Sequence, residues 1–456
     1  MGIADDLMQG IGFGDPVIRL GVTGLSRAGK TVFITSLVAN LLDRGRMPGL
    51  RAAADGSIKA AWLQPQPDDT IPRFEFERHL AAMTGPDPFW PEGTRNVSEM
   101  RLSFRVQPKG LASVYKREQI LHLDIIDYPG EWLLDLQLMD KDFTQWSGEV
   151  LRRIEGRPLS AEYFATVAAI GQQGSFSEEG AQRLAQSYTD HLRAARDAGW
   201  SDTTPGRFLM PGEMAGSPAL TFAPLPHDLA GTPVYREFSR RYSAYKSRIV
   251  KPFFRDHFSR IDRQVVLMDV LGAIHNGPAA VEDMRRTMAD VLSAFRPGRS
   301  SWLSQLLGTR RVERILFAAT KADHLNHVQH PRLTNIVSAM LREARDRADF
   351  AGARTEAMSI AALRCTTEAM IDENGEELPA VRGTLMDGRQ AAFYPGELPV
   401  NPAELLAPAQ QGAKEWLDAD YSVMNFAPAP NTLRPGEGPP HIRMDRAAEF
   451  LVGDKL

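Results

Sequence analysis

The sequence VIRLGVTGLSRAGKTVFITSLVANLLDR at residues 17–44 joins an apolar, β-branched run to a glycine-rich loop and then to an apolar-periodic segment. Its middle part, GLSRAGKT, matches the pattern G-x-x-x-x-G-K-[ST], and the flanks predict a strand before it and a helix after it. Gly24 and Gly29 allow the tight path in which backbone N–H groups converge on phosphate oxygens at a helix N-terminus. Lys30 is expected to reach the β- and γ-phosphates, and the Thr31 hydroxyl to coordinate Mg²⁺. This stretch therefore predicts a phosphate-binding loop.

The composition is that of an ordinary globular protein. The chain has 456 residues, 43% of them hydrophobic and 24% charged, and a prior of about 150 residues per domain predicts two or three units. The net charge of −4 gives no basic excess of the kind that indicates a nucleic-acid partner. No apolar run reaches the ~18 residues of a membrane span, and the start lacks the pattern of a secretory signal. The single cysteine, Cys365, excludes an intramolecular disulfide framework. We therefore expect a cytoplasmic protein with no nucleic-acid partner and at most a peripheral membrane contact.

Further apolar runs predict the rest of a parallel sheet. A proline-punctuated connection at residues 45–97, with one predicted helix at 73–83, separates the first strand from the others. Between residues 130 and 261 the periodicity is helical, apart from a Gly/Pro-rich spacer at 199–233. Strands that alternate with helices indicate a doubly wound sheet whose ligands lie at the carboxyl ends of the strands. The predicted strands are residues 99–106, 119–126, 264–271, 314–319 and 355–360.

A second motif, DYPG at residues 127–130, follows the second predicted strand after the connection. In nucleotide-binding sheets a carboxylate at this position can hold Mg²⁺ through its water shell, and the Gly130 N–H can meet a γ-phosphate. Asp and Gly favour turns in any case, but the position after a strand favours the functional interpretation of Asp127. Asp124 is the rival carboxylate and is expected to lie within the strand.

A third motif, TKAD at residues 320–323, comes directly after an apolar strand. A carboxylate at Asp323 can accept from N1–H and the 2-amino group of guanine, a two-point contact that adenine does not offer. Lys321 would lay its aliphatic stem over the base, and Thr320 would tie this loop to the phosphate loop. The alternative is a helix start with Asp323 as its N-cap. The order of the three motifs favours guanine recognition.

A fourth segment, SIAAL at residues 359–363, follows the next predicted strand. Backbone N–H groups of Ala361, Ala362 and Leu363 could meet the guanine carbonyl oxygen. A simple strand-to-helix turn of small residues is the alternative.

Together, GLSRAGKT, DYPGEW, TKAD and AALR, with a helical block between the second and third, resemble the YcjX-like family of bacterial P-loop proteins within the GTPase superfamily. The resemblance covers most of the chain, including the closing DRAAEFLVGDKL. It implies a protein that binds GTP and GDP and is related to the stress response of Gram-negative bacteria.

Two turn signals at 374–375 and 387–388 further predict a small antiparallel meander near the C-terminus.

The predicted fold class is thus an α/β P-loop NTPase, GTPase-like, with a doubly wound, mostly parallel sheet, a large α-helical insertion domain and a small β-containing C-terminal extension. The predicted divisions are an N-terminal arm (1–15), the first part of the GTPase domain (16–130), the helical insertion (131–260), the second part of the GTPase domain (261–365) and the C-terminal extension (366–456).

Three positions depart from the general GTPase pattern. Thr320 stands where Asn is usual, and the small Ala361 stands where Ser is common. Glu131 occupies the place where Gln often orients the attacking water. A carboxylate there can accept a proton but would repel the γ-phosphate, so Glu131 is either a direct participant or a solvated residue of the switch.

The connection before the strand at 99–106 should supply the threonine that closes over Mg²⁺. Thr94 lies where the superfamily places that residue, although it could also be a turn residue beside Gly93. Arg27 and Arg95 are candidate arginine fingers, because transition-state charge on the γ-phosphoryl group favours a nearby guanidinium. For each of them, an ordinary loop arginine is the favoured alternative.

These arguments give three sets of candidate residues. The candidate catalytic residues are Lys30, Thr94, Asp127, Gly130 and Glu131; the candidate nucleotide-binding residues are Ser26, Arg27, Ala28, Gly29, Lys30, Thr31, Val32, Thr320, Lys321, Asp323, Ala361, Ala362 and Leu363; and the candidate Mg²⁺ ligands are Thr31, Thr94 and Asp127.

The leading hypothesis is a slow, Mg²⁺-dependent GTPase that acts as a nucleotide-controlled switch, with a protein partner on the helical insertion. One alternative is a non-enzymatic or very slow interaction module regulated by the nucleotide. The other is an ATP-using P-loop enzyme, which would leave the TKAD motif unexplained.

Overall fold

The structure is a computed structural model. Four of the predicted site residues, Ser26, Arg27, Thr94 and Arg95, lie outside the described residues, as does most of the predicted N-terminal arm. The described residues are 15–24, 28–93, 96–107, 118–157, 159–170, 173, 175–257, 260–293, 312–342, 346, 352–413, 425–430 and 433–456.

A seven-stranded sheet forms the centre of the molecule, in the order β2-β3-β4-β1-β5-β6-β7. Strand β3 pairs antiparallel with β2 and with β4, whereas β4, β1, β5, β6 and β7 are parallel neighbours. The predicted α/β class with a mostly parallel sheet is confirmed. The strands are β1 (Val17–Gly24), β2 (Ile58–Gln64), β3 (Ser98–Val106), β4 (Gln119–Asp127), β5 (Arg263–Met268), β6 (Arg314–Ala319) and β7 (Arg354–Ser359).

The central strands are buried on both faces, which is why their sequences are continuous apolar runs. Every residue of β5 is buried. Val265 and Leu316 face one hydrophobic cluster, while Val266 and Phe317 face the other, as the alternation of side chains along a strand requires. The predicted extension of β5 to residue 271 is wrong, because Asp269 accepts a hydrogen bond from the Gly272 N–H and starts a helix at Val270.

Strand β2 was not predicted. Its sequence, IKAAWLQ, has only one fully buried residue, and its apolar run, AAWL, is short, because an edge strand needs no long buried run. The helix predicted at 73–83 is present as Phe76–Thr84.

Helices cover both faces of the sheet. The helix that follows the phosphate loop packs on one face together with the last helix of the chain. The helical block between β4 and β5 packs on the other face and shares one hydrophobic cluster with it. The helices of that block are Glu131–Leu134, Phe143–Ile154, Ser160–Ile170, Glu178–Asp197, Gly206–Leu209, Pro233–Tyr245 and Lys251–Asp256, and the helices elsewhere are Lys30–Leu42, Arg51–Ala54, Phe76–Thr84, Val270–His275, Pro278–Ser293, His330–Met340, Ala403–Gln410 and Met444–Val452.

The predicted meander is present as a separate three-stranded antiparallel sheet, β8 (Thr367–Glu373), β9 (Glu376–Thr384) and β10 (Gln390–Phe393). Asn374 and Gly375 have positive φ angles of 56° and 86° in the tight turn between β8 and β9, the conformation that an Asn-Gly pair favours. Among the described residues, no helix is both long and apolar enough to cross a bilayer.

The end of the chain returns to the main sheet. Arg263, only 1% exposed, donates from Nε to the Leu451 carbonyl at 3.1 Å and from Nη2 to Asp454 at 2.9 Å. These bonds join the last helix to the start of β5.

Candidate functional site

The phosphate-binding loop begins where β1 ends. Gly24 lies so close to β5 that a Cβ built on it would be 2.8 Å from the Leu267 Cβ and 2.9 Å from the Leu267 carbonyl oxygen. Gly29 has φ +77°, a left-handed conformation that favours glycine. The helix starts at the next residue, Lys30, without a side-chain cap, so its first N–H groups are available to an anion. Lys30 folds back over the loop and donates from Nζ to the Gly24 carbonyl at 3.2 Å.

The phosphate loop and the DYPG turn are in backbone contact. Asp127 is the last residue of β4 and lies beside Val22 in the parallel register. Three residues later, a Cβ on Gly130 would be 1.7 Å from the Gly24 carbonyl oxygen. Only glycine fits at this approach, so the structure brings the first two predicted motifs together.

Two of the predicted metal ligands share one cavity. Thr31 and Asp127 both line a space of about 370 Å³, together with Gly93 and Asn96, which flank Thr94. The Thr31 hydroxyl donates to the Glu92 carbonyl at 3.5 Å. Residues 92, 93 and 96 of the connection before β3 therefore lie beside the phosphate loop.

The donor chemistry of this cavity fits Mg²⁺. A hydroxyl and a carboxylate are hard oxygen ligands, and Mg²⁺ in nucleotide sites is bound by one or two such groups together with phosphates and water. No group of three or more His, Cys, Asp or Glu side chains able to hold a metal occurs in the described ranges.

The TKAD motif lies at the same edge of the sheet, after β6. The Thr320 hydroxyl donates to the Met268 carbonyl of β5 at 3.3 Å, so its described contact is with β5 and not with the phosphate loop. Lys321 adopts a left-handed conformation with φ 60°, and its Nζ donates to the Asp269 carboxylate. Asp323 is 3% exposed.

Asp323 faces the loop after β7, the other segment that the sequence predicts to take part in base recognition. The backbone N–H of Cys365 donates to Asp323 Oδ2 at 3.0 Å, and the Ala322 N–H donates to the Ile360 carbonyl. The Ala361 N–H donates to the Ile442 carbonyl at 3.1 Å, so this amide is engaged. Among the described hydrogen bonds, those of Ala362 and Leu363 are not engaged and are the better candidates for a base contact.

Comparisons with known proteins identify the family of this chain. The family model described as YcjX-like family, DUF463, matches residues 18–456. This chain belongs to the YcjX-like family. It is 36% identical over 464 residues to the "Ras-like GTPase YcjX" of Escherichia coli, covering 97% of this chain and 96% of that protein. It is 34% identical over 470 residues to the "Ras-like GTPase YcjX" of Shewanella oneidensis, covering 97% and 95%. The chain is therefore a GTPase-family protein.

In this member of the YcjX-like family, Glu131 does not share the cavity of Thr31 and Asp127. It is 4% exposed and lines a separate space of about 300 Å³ together with Lys321, among others. Glu131 therefore follows Gly130 directly in the chain but is not among the residues that line the cavity of Thr31 and Asp127.

Motif-based reasoning missed a set of contacts between the helical block and the DYPG turn. A Cβ on Gly206 would be 1.9 Å from the Glu131 carbonyl oxygen. Trp132 donates from Nε1 to the Met210 carbonyl at 2.9 Å, and the Arg207 guanidinium lies 3.2 Å from the centre of the Trp132 ring. Burial lowers the pKa of Arg207. These residues come from the Gly/Pro-rich spacer, which carries no motif, and so offered no sequence signal.

The same region contains a buried carboxyl group with a strongly raised pKa. Burial raises the pKa of Asp135 to about 7, although hydrogen bonds from Tyr245 and Gly206 oppose the shift. Tyr245 donates to Oδ2 at 2.5 Å and the Gly206 N–H donates to Oδ1 at 2.8 Å. Asp135 thus joins the segment after the DYPG turn to two parts of the helical block.

Proposed function

We propose that this protein binds GTP and Mg²⁺, hydrolyses GTP to GDP and phosphate, and acts as a nucleotide-controlled switch in the cytoplasm. The observation that carries the proposal is the convergence of the loops after β1, β4, β6 and β7 at one edge of the sheet, with Gly130 against Gly24. The names of the two relatives support guanine nucleotides as the ligands.

At the phosphate end, the triphosphate would lie on the N-terminus of the helix Lys30–Leu42. The loop 26–29 and the amides of Thr31 and Val32 would donate to the phosphate oxygens. Lys30 would leave the Gly24 carbonyl for the β- and γ-phosphates. Because Lys30 is held only by one neutral acceptor among the described contacts, this exchange costs little.

Thr31, Thr94 and Asp127 would hold the Mg²⁺ ion, Asp127 through water. When bound, the ion neutralises charge that develops on the β- and γ-phosphate oxygens. The Gly130 N–H, placed beside the phosphate loop, would meet the γ-phosphate.

At the base end, Asp323 would accept from N1–H and the 2-amino group of guanine. The Ala362 and Leu363 amides would donate to its carbonyl oxygen, and the stem of Lys321 would cover the ring. A hydrogen-bonding site of this kind rejects a base that lacks the matching donors, because a buried carboxylate would be left unpaired.

Water is the proposed nucleophile, and hydrolysis is expected to be slow. Glu131 lines a different cavity from Thr31 and Asp127, which favours a role in the switch over direct base catalysis. Loss of the γ-phosphate would free the DYPG turn, and the contacts of Trp132 would carry its movement into the helical block. We propose that this block presents the surface for a protein partner, in a role related to stress.

A nucleotide panel tests the proposal. Purified protein should bind GTP and GDP in preference to ATP and ADP, and should release phosphate from GTP only with Mg²⁺. Lys30→Ala should abolish binding of both GTP and ATP, and Asp323→Asn should weaken only the preference for guanine. Equal affinity for GTP and ATP in the unaltered protein would contradict the base assignment and favour an ATP-using enzyme.

The position of Glu131 supports one second candidate, a nucleotide-regulated interaction module with little or no hydrolysis. Such a protein would show the same guanine preference. Single-turnover phosphate release, compared with the rate in buffer, separates the two. Phosphate release from GTP no faster than in buffer would favour the interaction module and contradict the proposed GTP hydrolysis.

A further inference from the structure

The carboxylate of Asp323 is held by one residue. Cys365, which is 6% exposed, directs two donors at the same oxygen: its backbone N–H lies 3.0 Å and its Sγ 3.1 Å from Asp323 Oδ2. In the part of the chain that the structure describes, no other side chain donates to this carboxylate. The orientation of the carboxylate plane thus depends on the only cysteine in the sequence.

The thiol acts here as a donor. Burial, followed by the charge of Asp323, raises the pKa of Cys365 well above its usual value. The sulfur therefore keeps its proton at neutral pH, and S–H points its positive end at the carboxylate. A hydrogen bond to a charged acceptor is worth more than one to a neutral acceptor, even when the donor is weak.

Cys365 supplies the side-chain donor to Asp323 that the earlier residues of the loop after β7 do not. Ala361 has no side-chain donor, and its N–H is engaged by Ile442. Cys365 lies four residues further along, and its neighbour Thr366 donates to the Asp323 backbone carbonyl. The carboxylate and the backbone carbonyl of Asp323 thus both accept hydrogen bonds from residues 365–366.

A carboxylate that recognises guanine by two hydrogen bonds must lie in the plane of the base. The two guanine donors, N1–H and the 2-amino group, point in parallel in that plane, and a rotated carboxylate meets only one of them well. The Cys365 N–H alone fixes only the distance between its nitrogen and Asp323 Oδ2. The N–H and the thiol together also restrict rotation of the Asp323 carboxylate.

We propose that Cys365 is a positioning residue that sets the guanine selectivity of this site by fixing the carboxylate plane of Asp323. The inference rests on the proposed function, because it assigns base recognition to Asp323. It predicts an effect that depends on the base: large for guanine, which uses both oxygens, smaller for hypoxanthine, which lacks the 2-amino group, and none for adenine.

The test measures GDP, IDP and ADP affinities of the full-length protein by calorimetric titration. Cys365→Ala should weaken GDP binding about tenfold, which is the effect of a hydrogen bond worth ~1.4 kcal/mol. IDP binding should weaken less and ADP binding should not change. Cys365→Ser should stay within about threefold of the unaltered protein for GDP, because a hydroxyl is also a donor.

A double-mutant cycle separates positioning from a general structural effect. In an Asp323→Ala background, adding Cys365→Ala should cause no further loss of GDP affinity. Val381→Ala, a buried truncation in β9 with no described contact to Asp323, serves as the matched control for stability, and its GDP-to-IDP ratio should equal that of the unaltered protein.

Each other outcome contradicts a defined statement. Unchanged GDP affinity in Cys365→Ala, or a loss that persists in the Asp323→Ala background, would overturn the role of Cys365 and leave the proposed function standing. A changed GDP-to-IDP ratio in Val381→Ala would overturn it too. Equal GDP and ADP affinity in the unaltered protein would overturn both. Should Cys365→Ala fail to fold, a Cys365→Ser protein with tenfold weaker GDP binding would also refute the inference.

Discussion

Replacing Asp135 with Asn should remove one defined component of the pH dependence of stability. Asp135 is 2% exposed, and burial raises its pKa to about 7. Asn has nearly the shape of the protonated acid. Its carbonyl can accept the Gly206 N–H, and its amide can donate to the Tyr245 hydroxyl, so the variant keeps the packing of the site and loses only the ionisation.

The sign follows from the two states of the chain. In the unfolded chain the carboxyl has a pKa of about 3.9, below its value in the folded protein. Between pH 4 and 7 the folded state therefore binds more protons, and stability falls as the pH rises. Linkage at ~1.36 kcal/mol per pKa unit gives a penalty of about 1.5 kcal/mol at pH 5 and about 4 kcal/mol at pH 8.

The assay is urea-induced unfolding of both proteins at pH 5, 6, 7 and 8. The difference in unfolding free energy between the Asn variant and the unaltered protein should grow by about 2.5 kcal/mol from pH 5 to pH 8, most of it below pH 7. Comparing the two proteins cancels titrations that they share. If the unfolding free energies of the two proteins changed in parallel with pH, the raised pKa of Asp135 would be refuted. Tyr245→Phe removes a donor to the carboxylate, so in that variant the fall in stability with rising pH should extend to higher pH.

Three further predictions concern other contacts. Gly130→Ala should abolish the response of the switch to GTP and lower stability by about 2 kcal/mol, because the new Cβ meets the backbone of Gly24; a variant with normal GTP-dependent protease protection would contradict this. Arg263→Ala should cost about 2 kcal/mol in urea unfolding, since it removes the bonds of a buried guanidinium to the Leu451 carbonyl and to Asp454, and a loss under ~0.5 kcal/mol would show that the last helix docks without it. Trp90→Phe removes the 2.9 Å bond from Nε1 to the Phe426 carbonyl and should speed amide exchange in residues 425–427 about fivefold, as expected for a bond worth ~1 kcal/mol; unchanged exchange would refute it.

The parts of the fold that could be predicted are those whose cause is local. The strand and loop around Gly24 could be recognised because apolar burial, glycine conformations and the start of a helix all act within a few residues. The strands β5 and β6 could be recognised because burial on both faces leaves a continuous apolar run. The motif at 320–323 followed from its position directly after β6.

The parts that could not be predicted depend on partners far along the chain. Strand β2 owes its place to pairing with β3, and its own sequence is that of a half-exposed edge. Both described donors to the Asp323 carboxylate come from Cys365, 42 residues later, outside the motif loop. The spacer that holds Gly206 has the composition of a loop, and only the folded chain brings it against the DYPG turn.

These long-range contacts determine where a movement of the DYPG turn is transmitted. On one side the turn meets the phosphate loop through backbone atoms, the Gly130 approach to Gly24, and no described hydrogen bond joins these two residues. On the other side the following segment is fastened to the helical block by the Trp132 bond to Met210 and by the bonds of Asp135. Packed and hydrogen-bonded contacts resist separation more than a bare approach does. Under the proposed function, we therefore expect a turn displaced by a γ-phosphate to move the helical block with it. We propose that phosphate chemistry at the edge of the sheet changes the surface of the helical block on its face in this way.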